Sequence, residues 1–474
     1  MTGDRTTGHS AGTPDGLRGN MEAENRRTIA AVATASGAGG IAIVRVSGGE
    51  AENILKKLFI PAHKREYFES HRLMYGRAVD SDGETLDEVM AVLMRAPSTY
   101  TREDVAEIHC HGGSASALAV LARALALGAR TAQPGEFTKR AFLNGRIDLA
   151  RAEAVMQLIG ANGEAAARAS VRQLEGGVSG FVRSVSSRLT DILALLEAST
   201  DFPDEVEEET AAPQVAASLK DVIDEIRVRS DARSARVLRE GASIVLAGRP
   251  NVGKSSLMNA LLNQERAIVT AIPGTTRDVL TERISIGGVM AELSDTAGQR
   301  DTDDPIERIG VDRARRATES ADVVLIVLDA ASELDAYDTQ LVKSADSRCV
   351  ICLNKRDMES KVTLKALRAL TDARLIEMSA RTGQGIPELM RELAGRVALN
   401  AADGDQMMAQ RHIELAHSAA ESLGMAVGAI EAGMPLDTAA IDIRLALNAL
   451  SEITGENATE AVIDRVFSQF CVGK

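Results

Sequence analysis

The sequence predicts a multidomain α/β + α chain, and three observations carry that reading. At 474 residues the length suits roughly two to four hydrophobic cores, not one. Residues 241–399 alternate short apolar runs with helical spacing, as a parallel sheet covered by helices requires. On either side lie segments rich in Ala, Leu, Glu and Arg whose apolar residues recur every three or four positions. Neither flanking block is long enough to bury its apolar face alone, so a discontinuous helical domain, 139–240 and 400–474, with an α/β domain inserted at 241–399 is the simplest organisation.

Taken in order, residues 1–20 are rich in Gly, Thr, Ser and Asp, lack apolar periodicity and predict a disordered extension, with Met21 a candidate start. Residues 21–138 read as an α+β domain. Strands are expected over 28–34 and 41–46, a helix over 50–59, strands over 88–94 and from 103 into the turn at 113, and a helix over 114–127. The turn Ala35-Ser-Gly-Ala-Gly-Gly40 leads into a strand, so it lacks the helix a dinucleotide fingerprint needs. A helical tract over 150–199 breaks at Asp201-Phe-Pro-Asp204, an acidic run at 205–209 reads as solvated, and a second helix is expected over 213–239. After the polar linker 400–405, helices are expected over 407–432, 436–453 and 459–467.

Apolar residues at 45% and charged residues at 26% are ordinary for a soluble protein. No apolar run approaches the ~20 residues of a membrane span, which predicts a cytoplasmic protein without a membrane partner. A net charge of −14 argues against holding nucleic acid on a large basic surface, so an RNA target would need a local patch or a partner. There is no Trp and only 3% aromatic residues, which leaves little for base stacking. The four cysteines, Cys110, Cys349, Cys352 and Cys471, match neither a disulfide framework nor a four-ligand zinc site. Cys349-Val-Ile-Cys352 reads as a buried strand, and His109, Cys110 and His111 sit too close together for the usual zinc arrangement.

The chemistry is concentrated in Gly248-Arg-Pro-Asn251-Val252-Gly253-Lys254-Ser255-Ser256, placed between an apolar run and a helical pattern. Glycines let backbone N–H groups converge on phosphate, Lys254 reaches the β- and γ-phosphates, and Ser255 ligates Mg²⁺. Four further stretches follow in the order a guanine-nucleotide switch requires. Thr270-Ala271-Ile272-Pro273-Gly274-Thr275-Thr276 supplies a hydroxyl, Thr276, for the Mg²⁺ shell. In Asp295-Thr296-Ala297-Gly298 the carboxylate reaches Mg²⁺ through water and the Gly298 N–H senses the γ-phosphate. In Asn354-Lys355-Arg356-Asp357 the last carboxylate accepts two N–H donors of guanine that adenine does not offer. Ser379-Ala380-Arg381 closes over the base. Together they predict a Ras-like P-loop GTPase domain binding GTP and Mg²⁺.

With these motifs in view, the chain resembles the MnmE (TrmE) family of tRNA uridine-modifying GTPases over nearly all of 27–474. The resemblance is carried by Thr28-Ile-Ala-Ala-Val-Ala-Thr with Gly40-Ile-Ala-Ile-Val-Arg45-Val-Ser-Gly48, by Glu103-Asp-Val-Ala-Glu107-Ile-His-Cys-His-Gly-Gly113 and by Pro134-Gly-Glu-Phe-Thr-Lys-Arg-Ala-Phe-Leu-Asn144. Asp201-Phe-Pro-Asp204, the GTPase set and Phe470-Cys471-Val-Gly-Lys474 complete it. It implies an N-terminal α+β folate-binding domain that dimerises, so a homodimer, and a heterotetramer with two subunits of the flavoprotein MnmG, which alone carries FAD. It further implies an aminomethyl or carboxymethylaminomethyl group placed on carbon 5 of a tRNA wobble uridine, the tRNA held mainly through the partner. The one-carbon unit would come from a 5-formyl or 5,10-methylene tetrahydrofolate.

By motif position the resemblance places Arg45, Glu107, Arg146 and Lys474 at the folate site. Asn251, Thr270, Ile272 and Thr275 fall at a K⁺ site, and Glu307 at the carboxylate that orients the attacking water. Cys471 is either a nucleophile or proton donor beside the one-carbon unit or a positioning residue, and the second reading is favoured. Four departures stand out. Gln299 occupies a usually hydrophobic position, where a Gln orients water in Ras-like switches, so it competes with Glu307 for that role. Ala35-Ser-Gly-Ala38 replaces Pro-Pro-Gly-Arg. Arg102 replaces a Gly, which calls for a backbone adjustment. Arg146 replaces a Lys, keeping charge but not point geometry. Two other classes are weighed: a ribosome-assembly GTPase of the Era or EngA kind without one-carbon chemistry, and a folate-independent dimeric GTPase scaffold. The lack of a basic Gly-xx-Gly RNA module after the GTPase domain and the presence of Cys471-Val-Gly-Lys474 favour the first reading over the Era or EngA kind. The scaffold would be favoured if folate failed to bind and Arg45→Ala left modification intact.

Overall fold

The computed structural model describes residues 27–35, 37–63, 68–201, 208–264, 281–295, 319–399 and 406–474. The expectations for 1–20 and for Met21 lie outside them. The chain forms two compact units, one running to Glu153 and including Thr454–Lys474, the other Ala154–Ile453.

The first unit is built on a seven-stranded sheet. Its elements are β1 (Ile29–Val32), β2 (Ile41–Ser47), α1 (Ala51–Leu58), β3 (Phe59–Pro61), β4 (Met74–Val79), β5 (Thr85–Met94), β6 (Val105–His111), α2 (Ser114–Ala126), β7 (Arg130–Thr131) and α3 (Glu136–Leu143). The strand order is β3-β4-β5-β6-β2-β1-β7, antiparallel except where β1 meets β7. Period-2 alternation sets its faces. Ala42, Val44 and Val46 of β2 and Ala106, Ile108 and Cys110 of β6 enter a core shared with Ile54, Leu55 and Leu58 of α1 and Val120 and Ala124 of α2. The register pairs Arg45 with Glu107, so both side chains fall on the face opposite the core. Sequence periodicity did not pick out β3, β4 or β7; β4 contains Gly76, and β7 has only two residues.

The tract expected to be one helix over 150–199 is three: α4 (Leu149–Ile159), α5 (Glu164–Glu175) and α6 (Gly177–Asp201). Gly176 stops α5 in the left-handed conformation at φ +106°. The second expected helix divides into α7 (Glu208–Arg229) and α8 (Ala232–Glu240), because the Asp231 carboxylate caps a new helix by accepting from the Ser234 N–H at 2.8 Å. The α/β part then runs β8 (Ala242–Ala247), α9 (Lys254–Gln264), β9 (Thr281–Ile286), β10 (Val289–Asp295), β11 (Val323–Asp329), α10 (Ala336–Lys343), β12 (Cys349–Asn354), α11 (Leu364–Arg368), β13 (Arg374–Glu377) and α12 (Ile386–Leu399). The strand order is β13-β12-β11-β8-β10-β9, parallel except for the β9–β10 hairpin. β11 and β12 are near-continuous apolar runs because both sheet faces are covered. Cys349 and Cys352 are buried in β12 as expected, and burial pushes the Cys352 thiol up to about 12.

At the hairpin turn the Ala165 N–H of α5 donates to the Gly288 carbonyl at 2.9 Å. A Cβ on Gly163 would lie only 3.0 Å from the same oxygen, so a side chain there would press on this contact. The chain continues through α13 (Gln410–Glu431) and α14 (Leu436–Thr454). The buried stripe Ile413, Ala416, Ala420, Leu423, Val427 and Ile430 of α13 faces the stripe Val215, Leu219, Val222 and Ile226 of α7. Finally α15 (Glu460–Ser468), capped by Thr459, returns to the first unit. There Phe467 packs between Phe142 of α3 and Phe470, at ring-centroid distances of 6.1 and 5.3 Å.

Candidate active site

The phosphate loop leaves the carboxyl end of β8, where the chain turns from one side of the sheet to the other. Gly248 has φ +144° and a Cβ there would meet the Val327 carbonyl at 2.3 Å; Gly253 has φ +100° and a Cβ would meet Asn354 Nδ2 at 2.3 Å. Asn251 takes the left-handed region at φ +62°, which Asn tolerates better than most residues. Lys254 is 3% exposed, and its Nζ donates to the Gly248 and Arg249 carbonyls at 2.6 and 2.8 Å. Two of three ammonium protons are therefore directed by the loop, and the third is free to face an anion. Burial pushes the Lys254 pKa down, and the Asp295 carboxylate opposes that shift. Ser255 Oγ lies 3.4 Å from Asp295 Oδ2, which brings together the hydroxyl and carboxylate suited to a hard divalent cation.

The base end is held by a strut. Asn354 is 2% exposed; its Nδ2 donates to the Val252 carbonyl and its Oδ1 accepts from the Ala380 N–H, both at 2.9 Å. Both polar ends of Asn354 thus bind protein, tying the phosphate loop to the Ser379-Ala-Arg381 loop. Lys355 at φ +63° donates to the Asn251 carbonyl at 2.9 Å and to Asp329 at 2.7 Å. Arg356 pairs with Glu377 at 2.9 Å. Asp357 accepts from Ser379 Oγ and from Arg381, each at 2.6 Å, and the Ser379 hydrogen bond holds its carboxyl below the usual range. A cavity of ≈ 500 Å³ is lined by Gly253, Ser256, Lys355, Asp357 and Arg381, and also by Asn259 and Asn263 of α9. Sequence reasoning passed over these two amides; their spacing of four from Ser255 and from each other on one helix face was the available signal.

Of the sequence-predicted residues, Thr270, Ala271, Ile272, Pro273, Gly274, Thr275, Thr276, Thr296, Ala297, Gly298, Gln299 and Glu307 lie outside the described residues.

The first unit gathers a second polar cluster. Arg45 Nε donates to Glu107 Oε1 at 2.7 Å, and its guanidinium lies over the Tyr100 and Phe137 rings at 5.7 and 5.6 Å. Arg146 covers Tyr100 at 4.8 Å. The chain's last residues reach the same place: the Phe137 N–H donates to the Lys474 carbonyl and the Gly135 N–H to the Cys471 carbonyl. Cys471 is exposed. Arg45, Glu107, Arg146 and the backbone of Lys474 are thus joined through Tyr100 and Phe137, neither of which sequence reasoning selected. A buried network supports them: Arg140, 1% exposed, donates to Glu103 at 3.0 Å and to Glu136 at 2.9 Å, and Tyr100 Oη shares a hydrogen bond with Thr138. Arg102 does not move the backbone away from a glycine conformation. It adopts φ +59° itself and donates to the Asn144 carbonyl at 3.0 Å. Among the described residues no group of three or more His, Cys, Asp or Glu is placed to hold a metal, and no helix is long and apolar enough to cross a membrane.

A phosphate loop on a mostly parallel sheet, with a carboxylate at the base end, defines a P-loop GTP hydrolase. Residues 28–146 match the family described as GTP-binding protein TrmE N-terminus, and residues 149–471 match the MnmE helical domain. The tRNA modification GTPase MnmE of Symbiobacterium thermophilum is 45% identical over 94% of this chain and 99% of its own length. Those of Lactobacillus acidophilus and Bacillus velezensis are 43% and 44% identical over 94% of this chain and 98% and 100% of theirs. The chain belongs to the MnmE (TrmE) family.

Proposed function

We propose that the chain is a K⁺-dependent GTPase that, with MnmG, uses a tetrahydrofolate one-carbon unit to add an aminomethyl or carboxymethylaminomethyl group to carbon 5 of a tRNA wobble uridine. The observation that carries this reading is that Arg45, paired with Glu107, lies over Tyr100 and Phe137, that Arg146 also covers Tyr100, and that the Phe137 N–H holds the Lys474 carbonyl. A pterin with donors and a stacking face, joined to a carboxylate tail, suits a carboxylate, aromatic rings and guanidinium groups at one place. GTP hydrolysis serves as the timing step, and the carbon chemistry is done at the folate site with MnmG.

In the nucleotide site Lys254 directs its remaining proton toward the β- and γ-phosphates, Ser255 and Thr276 would hold Mg²⁺ with Asp295 reaching it through water, and Asp357 reads the guanine. Asn251 contributes to K⁺ with Thr270, Ile272 and Thr275. A monovalent cation there supplies positive charge against the phosphates where other GTPases use an arginine. Glu307 or Gln299 orients the water. The domain divisions at 138, 240 and 399, dimerisation through 21–138 and a heterotetramer with two MnmG subunits belong to the same proposal. Mass spectrometry of wobble uridines from cells lacking the protein, complemented with wild type or Lys474→Ala, is the test. The modified nucleoside is expected to vanish in the knockout and return only with wild type; unchanged nucleosides in the knockout would sink the reading. Hydrolysis measured in KCl and NaCl tests the Asn251 assignment, equal rates removing it.

A further inference from the structure

The phosphate loop is anchored at a point that none of the nucleotide motifs explains. Arg249, its second residue, turns its side chain away from the cavity and toward the start of α10. There NH1 lies 2.9 Å from Asp335 Oδ2, NH2 lies 2.7 Å from Asp338 Oδ2, and NH2 also faces the Glu333 carbonyl at 3.4 Å. The two carboxylates are fixed independently of Arg249 by a reciprocal cap, Asp335 accepting from the Asp338 N–H and Asp338 from the Asp335 N–H. Asp338 is fully buried, so its charge needs the guanidinium close by. The main chain of the same arginine carries one of the two carbonyls that hold Lys254 Nζ. Its side chain and its carbonyl therefore link the α10 terminus to the buried ammonium through a single residue, and Pro250 stiffens the chain immediately beyond it.

We propose that Arg249 is a positioning residue for GTP hydrolysis: clamped by Asp335 and Asp338, it sets where its own carbonyl lies and so where the third proton of Lys254 points. The clamp touches no phosphate. It acts on the transition state through Lys254, so its loss shows in kcat more than in substrate binding.

Steady-state GTP hydrolysis by the full chain tests this. Arg249→Ala is expected to lower kcat about tenfold with KM changed less than about threefold, since small misplacement of a catalytic group costs on the order of ten- to a hundredfold. Arg249→Lys should recover most of that loss, because one ammonium can reach either carboxylate. Asp338→Asn should lower kcat in wild type but have no further effect in Arg249→Ala. Asp335→Asn preserves the helix cap and removes one charge, so it tests the clamp even if Arg249→Ala fails to fold; a fall of about threefold is expected. The inference is overturned if a folded Arg249→Ala, or Asp335→Asn where Arg249→Ala does not fold, hydrolyses GTP within twofold of wild type, if Arg249→Lys is no better than Arg249→Ala, or if the Arg249→Ala and Asp338→Asn losses multiply.

Discussion

The two polar sites of this chain are assembled in opposite ways. In the nucleotide site each piece is a loop at the carboxyl end of a strand of one sheet: 248–255 after β8, Asp295 ending β10, 354–357 after β12 and 379–381 after β13. Each piece is a short motif with its chemistry and geometry in the same few residues. The cluster of the first unit draws single residues from β2, β6, the 99–104 loop, the start of α3, the turn beyond α3 and the chain's last four positions. Its pieces acquire meaning only when 474 is brought beside 137. Local motifs therefore fail one residue at a time, whereas the dispersed cluster depends on how the last segment is seated.

The largest effect should come from Lys254→Ala. Removing a preorganised cation that faces developing phosphate charge is expected to reduce GTP hydrolysis by about 10²–10³-fold. Thermal stability should hardly fall, because burial already disfavours the charged form of this lysine; a large drop in Tm would mean that the loop needs the ammonium for its fold. Asp357→Asn comes next. An amide cannot accept both guanine donors, so GTP affinity by titration should fall on the order of a hundredfold, with ATP affinity little changed.

Gly473→Ala probes the other style of construction. Gly473 has φ +97° and a Cβ would meet the Val32 carbonyl at 2.3 Å, so a single methyl should unseat the last residues at a cost of about 1–3 kcal/mol. Hydrogen exchange of the Phe137 amide, which donates to Lys474, should accelerate by roughly ten- to a hundredfold. If that amide stays protected, the seating tolerates more than its geometry implies. The smallest effect is expected at Glu52, whose pKa the hydrogen bonds of Arg95 and Lys56 hold at about 2. A depressed carboxyl stabilises the fold above the unfolded value near 4.5 and loses that contribution as pH falls through about 2. Arg95→Ala should raise the Glu52 midpoint in an NMR titration and cost about 0.5 kcal/mol at neutral pH, the pair being solvated.

The same contrast explains what could be read from the sequence. The strand, loop and helix of the phosphate site are local, so Gly248, Lys254, Asn354 and Asp357 were legible in place, as was the burial of Cys352. The break at Asp231 was hidden because its neighbours are good helix formers; the cap became visible once the Asp231 carboxylate met the Ser234 N–H. Tyr100 and Phe137 gave no sign of a role, since an aromatic side chain on its own reads as core. Only the placing of Arg45 on β2 and of Arg146 in the turn beyond α3 sets arginines over them. Arg249 was hidden in plain sight, inside a motif whose glycines and lysine account for the phosphate chemistry without it.

The contact between Ala165 and Gly288 makes β10 a tie between two distant places. A seven-residue strand spans roughly 20 Å and is stiff along its axis. One end is hooked by a glycine carbonyl onto the first turn of a helix, and the other carries Asp295 toward the hydroxyl of Ser255. β10 thus ties the first turn of α5 to the carboxylate on the cation side of the nucleotide site through a single seven-residue strand.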